Sequence, residues 1–126
     1  MIWDIGAGCG SIGLEALKLR PNLDLFCIDK RIGSKALIQE NSKRLGVKPK
    51  FVLEEDINNI FHTNNLSSFE KPNRLIIGGC DKKTKLQIIN KLAQGMSIGD
   101  IIVIPIIDIQ TIKDLKEELE LSLIHI

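Results

Sequence analysis

Two patterns of apolar and polar positions alternate along the chain. Runs in which almost every position is apolar, such as LFCI at 25–28 and IIVIPII at 101–107, are typical of strands covered on both faces. Strands are predicted at 1–5, 23–29, 50–54, 73–78 and 100–107. The segments between them carry apolar residues at helical spacing. Helices are predicted at 11–19, 34–45, 83–93 and 111–119.

This alternation predicts an α/β fold in which a parallel sheet has helices on both faces and right-handed crossovers. Gly46 and Gly95 are placed to end two of the helices. A further helix between the third and fourth strands is optional in this pattern. Ligands bind at the carboxyl ends of the strands in such folds, so candidate site residues are sought there.

The composition narrows the possible partners. The 17 basic and 16 acidic residues give a net charge of +1, and aromatic residues make up 4%, so neither nucleic acid nor an anionic membrane surface is expected as a partner. No apolar run approaches the roughly 18 residues that span a bilayer, and no signal segment opens the chain. We expect a cytoplasmic protein of one domain. The three cysteines lack CxxC spacing, and neither a disulfide nor a metal site is expected.

A glycine-rich loop follows the first predicted strand in MIWDIGAGCGSIGLEALKL. Such a strand, turn and helix present backbone amides to an anion and let a ligand approach closely. Its spacing fits two motifs. Gly8, Gly10 and Gly13 form the dinucleotide fingerprint GxGxxG, whereas DxGxGxG begins at Asp4. The second motif is preferred because residues 6 and 7 separate the strand from the first fingerprint glycine. It places Gly10 against the ligand and Gly13 at a close helix contact.

Acidic residues end the next two predicted strands. Asp29 lies about 20 residues beyond the glycine loop, where a carboxylate can accept both ribose hydroxyls of a nucleoside. Asp56 and Ile57 follow the third strand, where they suit an adenine amino group and a ring face. Together these features favour one adenosine lying across three strand ends. The alternative is that the acids are solvated loop residues, an interpretation weighed more heavily for Asp56.

Five segments within about residues 2–107 carry a family resemblance: WDIGAGCGSIGLEA, FCIDKR, ALIQENSKRLGV, EEDI and RLIIGGCDKK. They resemble the class I S-adenosylmethionine-dependent methyltransferases of cobalamin synthesis that act on precorrin-6B. The paired glycines of IIGG are the more specific part, since the other blocks occur in many class I methyltransferases. The resemblance implies a Rossmann-like fold and S-adenosylmethionine as cofactor. It also implies methyl transfer to carbon 15 of a tetrapyrrole, with loss of carbon dioxide from the carbon 12 acetate, and a homo-oligomer, a tetramer in the family.

The resemblance assigns residues to two sides of the site. The cofactor side comprises Asp4, Gly6, Ala7, Gly8, Gly10, Ser11, Asp29, Lys30, Asp56, Ile57 and Gly78. The substrate side comprises Gly79, Cys80, Lys82, Lys83 and Arg31. Gly78 and Gly79 would make room for a flat macrocycle, and the cations would attract its carboxylates. No catalytic residue is assigned, because the expected contribution of the protein is orientation and exclusion of water. Surface and structural roles are expected for His62 and Asn41, respectively.

Both ends of the chain are expected to be truncated. Five of the usual seven strands are visible, so the terminal antiparallel hairpin and the family's amino-terminal segment are expected to be missing. LSLIHI at 121–126 fits either a further strand or a scar from a sequencing adapter, and the scar is favoured, which leaves 1–120 as the domain. Three other functions stay open: a methyltransferase for another small molecule or RNA, an NAD-dependent oxidoreductase, and a noncatalytic binding remnant.

Overall fold

The computed structural model describes residues 1–63, 69–105 and 109–124. Five strands form one sheet in which every pairing is parallel. The strands are β1 (Ile2–Ile5), β2 (Leu25–Asp29), β3 (Phe51–Glu54), β4 (Arg74–Ile77) and β5 (Ile101–Val103). The helices are α1 (Ser11–Leu19), α2 (Ser34–Leu45), α3 (Ile57–His62), α4 (Lys82–Leu92) and α5 (Ile109–Ile124). The predicted α/β fold with a parallel sheet is confirmed.

The order of strands in the sheet is β3-β2-β1-β4-β5. The chain moves outward from β1 through β2 to β3, and then crosses to the other side of β1 to add β4 and β5. The direction of winding therefore reverses between β1 and β4, and open α/β sheets bind ligands at such a reversal. Ile5 pairs with Ile28 of β2 and with Ile77 of β4, so the carboxyl ends of the three central strands are level.

The two faces of the sheet form separate apolar clusters because alternate side chains of a strand point in opposite directions. Trp3 and Ile5 of β1 pack with buried residues of α3, α4 and α5. Ile2 packs on the other face with Leu14 of α1 and Ile38 of α2. β1 and β2 are buried throughout, whereas β3 and β5 are half-exposed edge strands. Helices on both faces thus cover the centre of the sheet.

Most element boundaries lie within a few residues of the prediction, and two differences concern the end of the chain. β5 has only three residues of the predicted 100–107, and Pro105, which follows it, lacks an N–H for the strand ladder. Residues 106–108 lie outside the described residues. The interpretation of 121–126 as a further strand is wrong over 121–124, because α5 continues without a glycine or proline to Ile124. His125 lies outside the described residues, and the adapter scar stays a prediction.

Candidate functional site

A cleft of about 170 Å³ opens at the carboxyl ends of the central strands. Eight predicted site residues line it, some assigned to the cofactor side and some to the substrate side: Gly6, Asp29, Lys30, Arg31, Asp56, Ile57, Gly79 and Cys80. Residues without a predicted role also line it: Ile5, Ile28, Glu55, Asp81 and Thr84. The motifs gave no signal that Ile5 and Ile28 would line the cleft. Only their positions at the ends of strands could have indicated it. The cleft therefore brings half of the predicted site together.

The glycine-rich loop is held against the end of β2. The backbone N–H groups of Gly6 and Ala7 donate to the carbonyl oxygen of Ile28 at 2.8 and 3.1 Å. The N–H of Gly8 donates to Oδ2 of Asp29 at 2.7 Å. Gly6, Gly8 and Gly10 have φ angles of 72°, 63° and 83°, which a side chain would strain. The turn therefore favours glycine at all three positions.

Asp29 is the most highly constrained acid of the cleft. The residue is 4% exposed, and each carboxylate oxygen accepts two hydrogen bonds. Oδ1 accepts from the backbone N and from Nε of Arg31 at 2.9 and 3.3 Å. Oδ2 accepts from Gly8 and from the Arg31 guanidinium, the latter at 3.4 Å. Burial opposes ionisation, but the bonds from Arg31 and Gly8 outweigh it and hold the pKa of Asp29 below its ordinary value.

Asp4 lies beneath the loop and does not line the cleft. Its side chain is 2% exposed, and Oδ2 has no hydrogen-bond partner among the described residues. Burial raises the pKa of Asp4 to about 6, opposed by a hydrogen bond from the backbone of Gly13 and assisted by the charge of Asp29. A side chain on Gly13 would begin 2.9 Å from Oδ2 of Asp4 and 3.0 Å from Leu25. The predicted close helix contact at Gly13 is confirmed. Asp4 lies under the loop and outside the cleft.

Three other residues assigned to the cofactor side do not line the cleft. A side chain on Gly10 would begin 3.1 Å from Leu14 and 3.3 Å from Ile38, so this glycine permits close packing of α1 and α2. This packing concerns the side-chain direction at Gly10, and a contact of its backbone with the ligand stays a prediction. Ala7 packs on the cluster beneath α1 and α2, and Ser11 is exposed at the start of α1. Asn41 of α2 donates to the carbonyl oxygen of Cys9 at 3.0 Å, which confirms its structural role.

The paired glycines after β4 have different surroundings. A side chain on Gly78 would begin 2.6 Å from the carbonyl oxygen of Gly6, a distance that excludes any side chain. Gly78 therefore lets the β4 loop pass against the β1 loop, and it is not required as space for a macrocycle. A side chain on Gly79 would meet only this oxygen, at 4.0 Å, so its position is open to the cleft.

The lysines of α4 do not line the cleft. Lys82 forms an ion pair with Asp114 of α5, and Lys85 donates to the carbonyl oxygen of Pro105 at 3.3 Å. Lys83 is exposed beyond the cleft. The helix begins on Asp81, which accepts from the backbone N–H of Thr84 at 2.8 Å, and this bond lowers the pKa of Asp81. The assignment of Lys82 and Lys83 to the substrate side is therefore not supported by their positions.

The acids after β3 also have capping roles. Oδ1 of Asp56 accepts from the backbone N–H of Asn58 at 2.9 Å and caps α3, while the residue lines the cleft beside buried Ile57. Oε1 of Glu54 accepts from the backbone N–H groups of Gly33 and Lys35 at 2.9 and 3.2 Å, at the start of α2. His62 is exposed at the end of α3, as expected.

Other expected features concern metals and membranes. No group of His, Cys, Asp or Glu side chains in the described ranges is arranged to hold a metal ion. Within the same ranges, no helix combines the length and apolar character that crossing a bilayer requires. All three cysteines are free thiols, and burial raises the pKa of Cys27 to about 12 and also raises that of Cys80.

The strand order, the glycine loop and the acid at the end of β2 define a nucleotide-binding domain of the Rossmann-like type, the fold of class I methyltransferases. Residues 1–120 match the family model for the precorrin methyltransferase domain, and the chain belongs to this family. This membership decides between the two interpretations of the glycine loop in favour of DxGxGxG over the dinucleotide fingerprint. No curated protein sequence is detectably similar to the chain.

Solved structures of methyltransferases share the fold. The precorrin-6y C5,15-methyltransferase from Geobacter metallireducens GS-15 is 27% identical, with a TM-score of 0.75 over 96% of this chain and 62% of that one. The chain thus spans less than two thirds of that protein. The ribosomal protein L11 methylase from Lactobacillus delbrueckii subsp. bulgaricus has the same TM-score over 96% and 58% of the two chains at 16% identity. Coclaurine N-methyltransferase, solved with N-methylheliamine and SAH, has a TM-score of 0.55 at 17% identity over 76% of this chain and 27% of that one.

Proposed function

We propose that this chain is the cofactor-binding part of an S-adenosylmethionine-dependent C-methyltransferase of cobalamin synthesis. We further propose that it methylates carbon 15 of a precorrin-6B-type tetrapyrrole, with or without cobalt, and releases the carbon 12 acetate as carbon dioxide. The observation that carries the proposal is the buried carboxylate of Asp29, which the N–H of Gly8 holds at the mouth of the cleft. Family membership and the name of the Geobacter neighbour support the tetrapyrrole as acceptor.

The residues present fit an adenosine. The loop at Gly6 and Gly8 has backbone conformations that favour glycine, so the ligand can approach the main chain closely. Asp29 offers a carboxylate for the ribose hydroxyls, and Ile57 offers an apolar surface beside Asp56 for the base. When bound, S-adenosylmethionine supplies an electrophilic methyl group on a sulfonium. The roles of the chain are to hold the nucleoside and to exclude water from the cleft.

The acceptor side of the proposal rests on Gly79 and the cations of the β2–α2 loop. Gly79 is open to the cleft, so a flat ring can approach the strand end there. Lys30 and Arg31 line the same cleft, where they can attract the carboxylates of a precorrin. They replace Lys82 and Lys83 as the candidate cations. Cys80, Asp81 and Thr84 also line the cleft, and no residue is assigned to proton transfer.

Cofactor binding is tested by calorimetric titration of the chain with S-adenosylhomocysteine. Asp29→Asn should weaken binding by about 1 to 3 kcal/mol, the range for a hydrogen-bonding charge that is lost. Asp24→Asn is the matched control, because Asp24 is an exposed acid outside the cleft. Equal affinities of the Asp29→Asn and Asp24→Asn variants would contradict the ribose assignment.

The reaction is tested by incubating the enzyme with S-adenosylmethionine and precorrin-6B or its cobalt form. Mass spectrometry should detect a product that has gained one methyl group and lost carbon dioxide. A methylated product that retains the acetate would contradict the decarboxylating step. Preferential methylation of a non-tetrapyrrole acceptor would contradict the proposed substrate and leave only the assignment to the class I methyltransferases.

A further inference from the structure

The guanidinium of Arg31 occupies half of the hydrogen-bonding capacity of the Asp29 carboxylate. A carboxylate has about four acceptor positions, and four donors surround this one. Two of the donors are backbone N–H groups, those of Gly8 and Arg31. The other two are nitrogens of the Arg31 guanidinium. The carboxylate that the proposed function gives to the ribose is therefore already fully hydrogen-bonded within the chain.

The four donors differ in how easily each can break its hydrogen bond to Asp29. The N–H of Gly8 is fixed by the glycine loop, and the backbone of Arg31 is fixed by the start of α2, where its carbonyl oxygen accepts from the N–H of Ser34 at 3.1 Å. The side chain of Arg31 is 69% exposed, and its bonds to Asp29 are long, at 3.3 and 3.4 Å. The ion pair is exposed on the guanidinium side only, because Asp29 is buried, and its long bonds make the guanidinium the weakest of the contacts to the carboxylate. The guanidinium is thus the donor group that a ligand can displace from two acceptor positions of the Asp29 carboxylate.

The guanidinium also lies against the glycine loop. A side chain on Gly8 would begin 2.9 Å from a terminal nitrogen of Arg31, so the guanidinium lies directly above the glycine loop. A ribose that reaches Asp29 past this loop needs both the same acceptor positions and the same space. Arg31 and the ribose are therefore alternatives at Asp29.

We infer, on the basis of the proposed function, that Arg31 is a positioning residue that competes with the ribose for Asp29 and, once displaced, binds a carboxylate of the acceptor. Displacement leaves a free guanidinium on the wall of the cleft beside Lys30. An anionic acceptor then meets a cation that was neutralised before the nucleoside bound. Because such coupling is reciprocal, the nucleoside should strengthen acceptor binding, and the acceptor should strengthen nucleoside binding by the same factor.

The competition is measured by titration of the chain with methylthioadenosine, which has the ribose hydroxyls but no carboxylate of its own for Arg31 to bind. Arg31→Ala should bind it about two- to fivefold more tightly than the unmodified chain, because in the variant no guanidinium has to be displaced from Asp29. Arg31→Lys, which keeps the charge but loses the fork of donors, should fall between them. Lys35→Ala is the matched control, because it removes one exposed cation from α2 without touching Asp29.

A second ligand separates competition from a general effect on the site. The 2′,3′-dideoxy analogue of methylthioadenosine cannot use Asp29, so Arg31→Ala should give no gain in affinity for it. Equal or weaker binding of methylthioadenosine by Arg31→Ala would overturn the competition and leave the proposed function standing. Failure of the unmodified chain to bind S-adenosylhomocysteine would overturn the proposed function together with this inference.

Coupling to the acceptor is measured with uroporphyrin, a fluorescent polycarboxylate tetrapyrrole. Saturating methylthioadenosine should tighten uroporphyrin binding to the unmodified chain and leave its binding to Arg31→Ala unchanged. Lys35→Ala should retain the coupling. An affinity for uroporphyrin that does not respond to the nucleoside in the unmodified chain would overturn the carboxylate role of Arg31.

Discussion

The carbonyl oxygen of Gly6 lies 2.6 Å from the point at which a side chain on Gly78 would begin. The loops after β1 and β4 are therefore in direct backbone contact, and the N–H of Gly79 donates to the same oxygen at 3.3 Å. This contact closes the floor of the cleft at the reversal of the strand order. It also separates the roles of the two adjacent glycines.

Gly78→Ala should destabilise the fold by about 1 to 3 kcal/mol, because the added methyl group overlaps a backbone atom that cannot move alone. Gly79→Ala should change the free energy of unfolding by less than about 0.5 kcal/mol, as for an exposed position. Urea denaturation of the two variants measures the difference. Equal destabilisation by both substitutions would contradict the distinction between them.

Gly79→Leu should stop methylation of the tetrapyrrole and leave the affinity for S-adenosylhomocysteine nearly unchanged. The larger side chain fills the open part of the cleft beside β4, whereas the proposed nucleoside site lies toward β2 and β3. Calorimetry and a methylation assay on the same preparation separate the two effects. Parallel loss of cofactor binding and activity would rule out an acceptor-specific role for Gly79.

The Asp4 carboxyl should make the stability of the fold depend on pH. Its pKa is about 6 in the fold against an ordinary value of 3.8, so the folded state holds the proton more tightly than the unfolded state. This stabilisation is complete below about pH 4 and is lost as the pH rises through 6. It amounts to roughly 2 to 3 kcal/mol. Asp4→Asn should remove this pH-dependent contribution, as measured by denaturation at pH 4 to 8. A variant with the same pH profile as the unmodified chain would show that Asp4 does not titrate in this range.

Replacing both Lys82 and Lys83 with alanine should leave the KM for the tetrapyrrole unchanged. Lys82 is paired with Asp114 of α5, and neither lysine lines the cleft. The melting temperature should also change little, because exposed ion pairs contribute little to stability. Lys30→Ala is the informative comparison and should raise KM, with a weaker dependence on salt. A larger increase in KM on replacing Lys82 and Lys83 than on replacing Lys30 would contradict this prediction and indicate that the acceptor binds beside α4.

Much of the site follows from local pattern. Asp29 ends an apolar run about 20 residues after the glycine loop, and the structure places its carboxylate at the cleft as that spacing predicts. Gly13 and Asn41 have the packing roles expected of them. Each of these results depends on residues whose strand or helix is recognisable from its own segment, so the prediction needed no knowledge of distant contacts.

Side-chain direction depends on distant contacts and was not predictable in the same way. Gly10 faces Ile38, which lies on another helix, and Lys82 faces Asp114, which lies more than 30 residues away along the chain. In the sequence alone, the motif at Gly10 and the charge at Lys82 fit a ligand role as well as they fit a structural role. Only the docking of α1 on α2, and of α4 on α5, decides which partner each residue meets.

Local pattern is enough to predict the alternation of strands and helices, the edge of the sheet at which the site lies, and the acids and glycines that gather there, because periodicity and turn chemistry are local properties of the chain. Only the folded chain shows that Gly78 supports a loop contact while Gly79 faces the cleft. These choices depend on distances of a few tenths of an ångström between segments remote in sequence. Such distances are set by packing of the whole sheet against its helices.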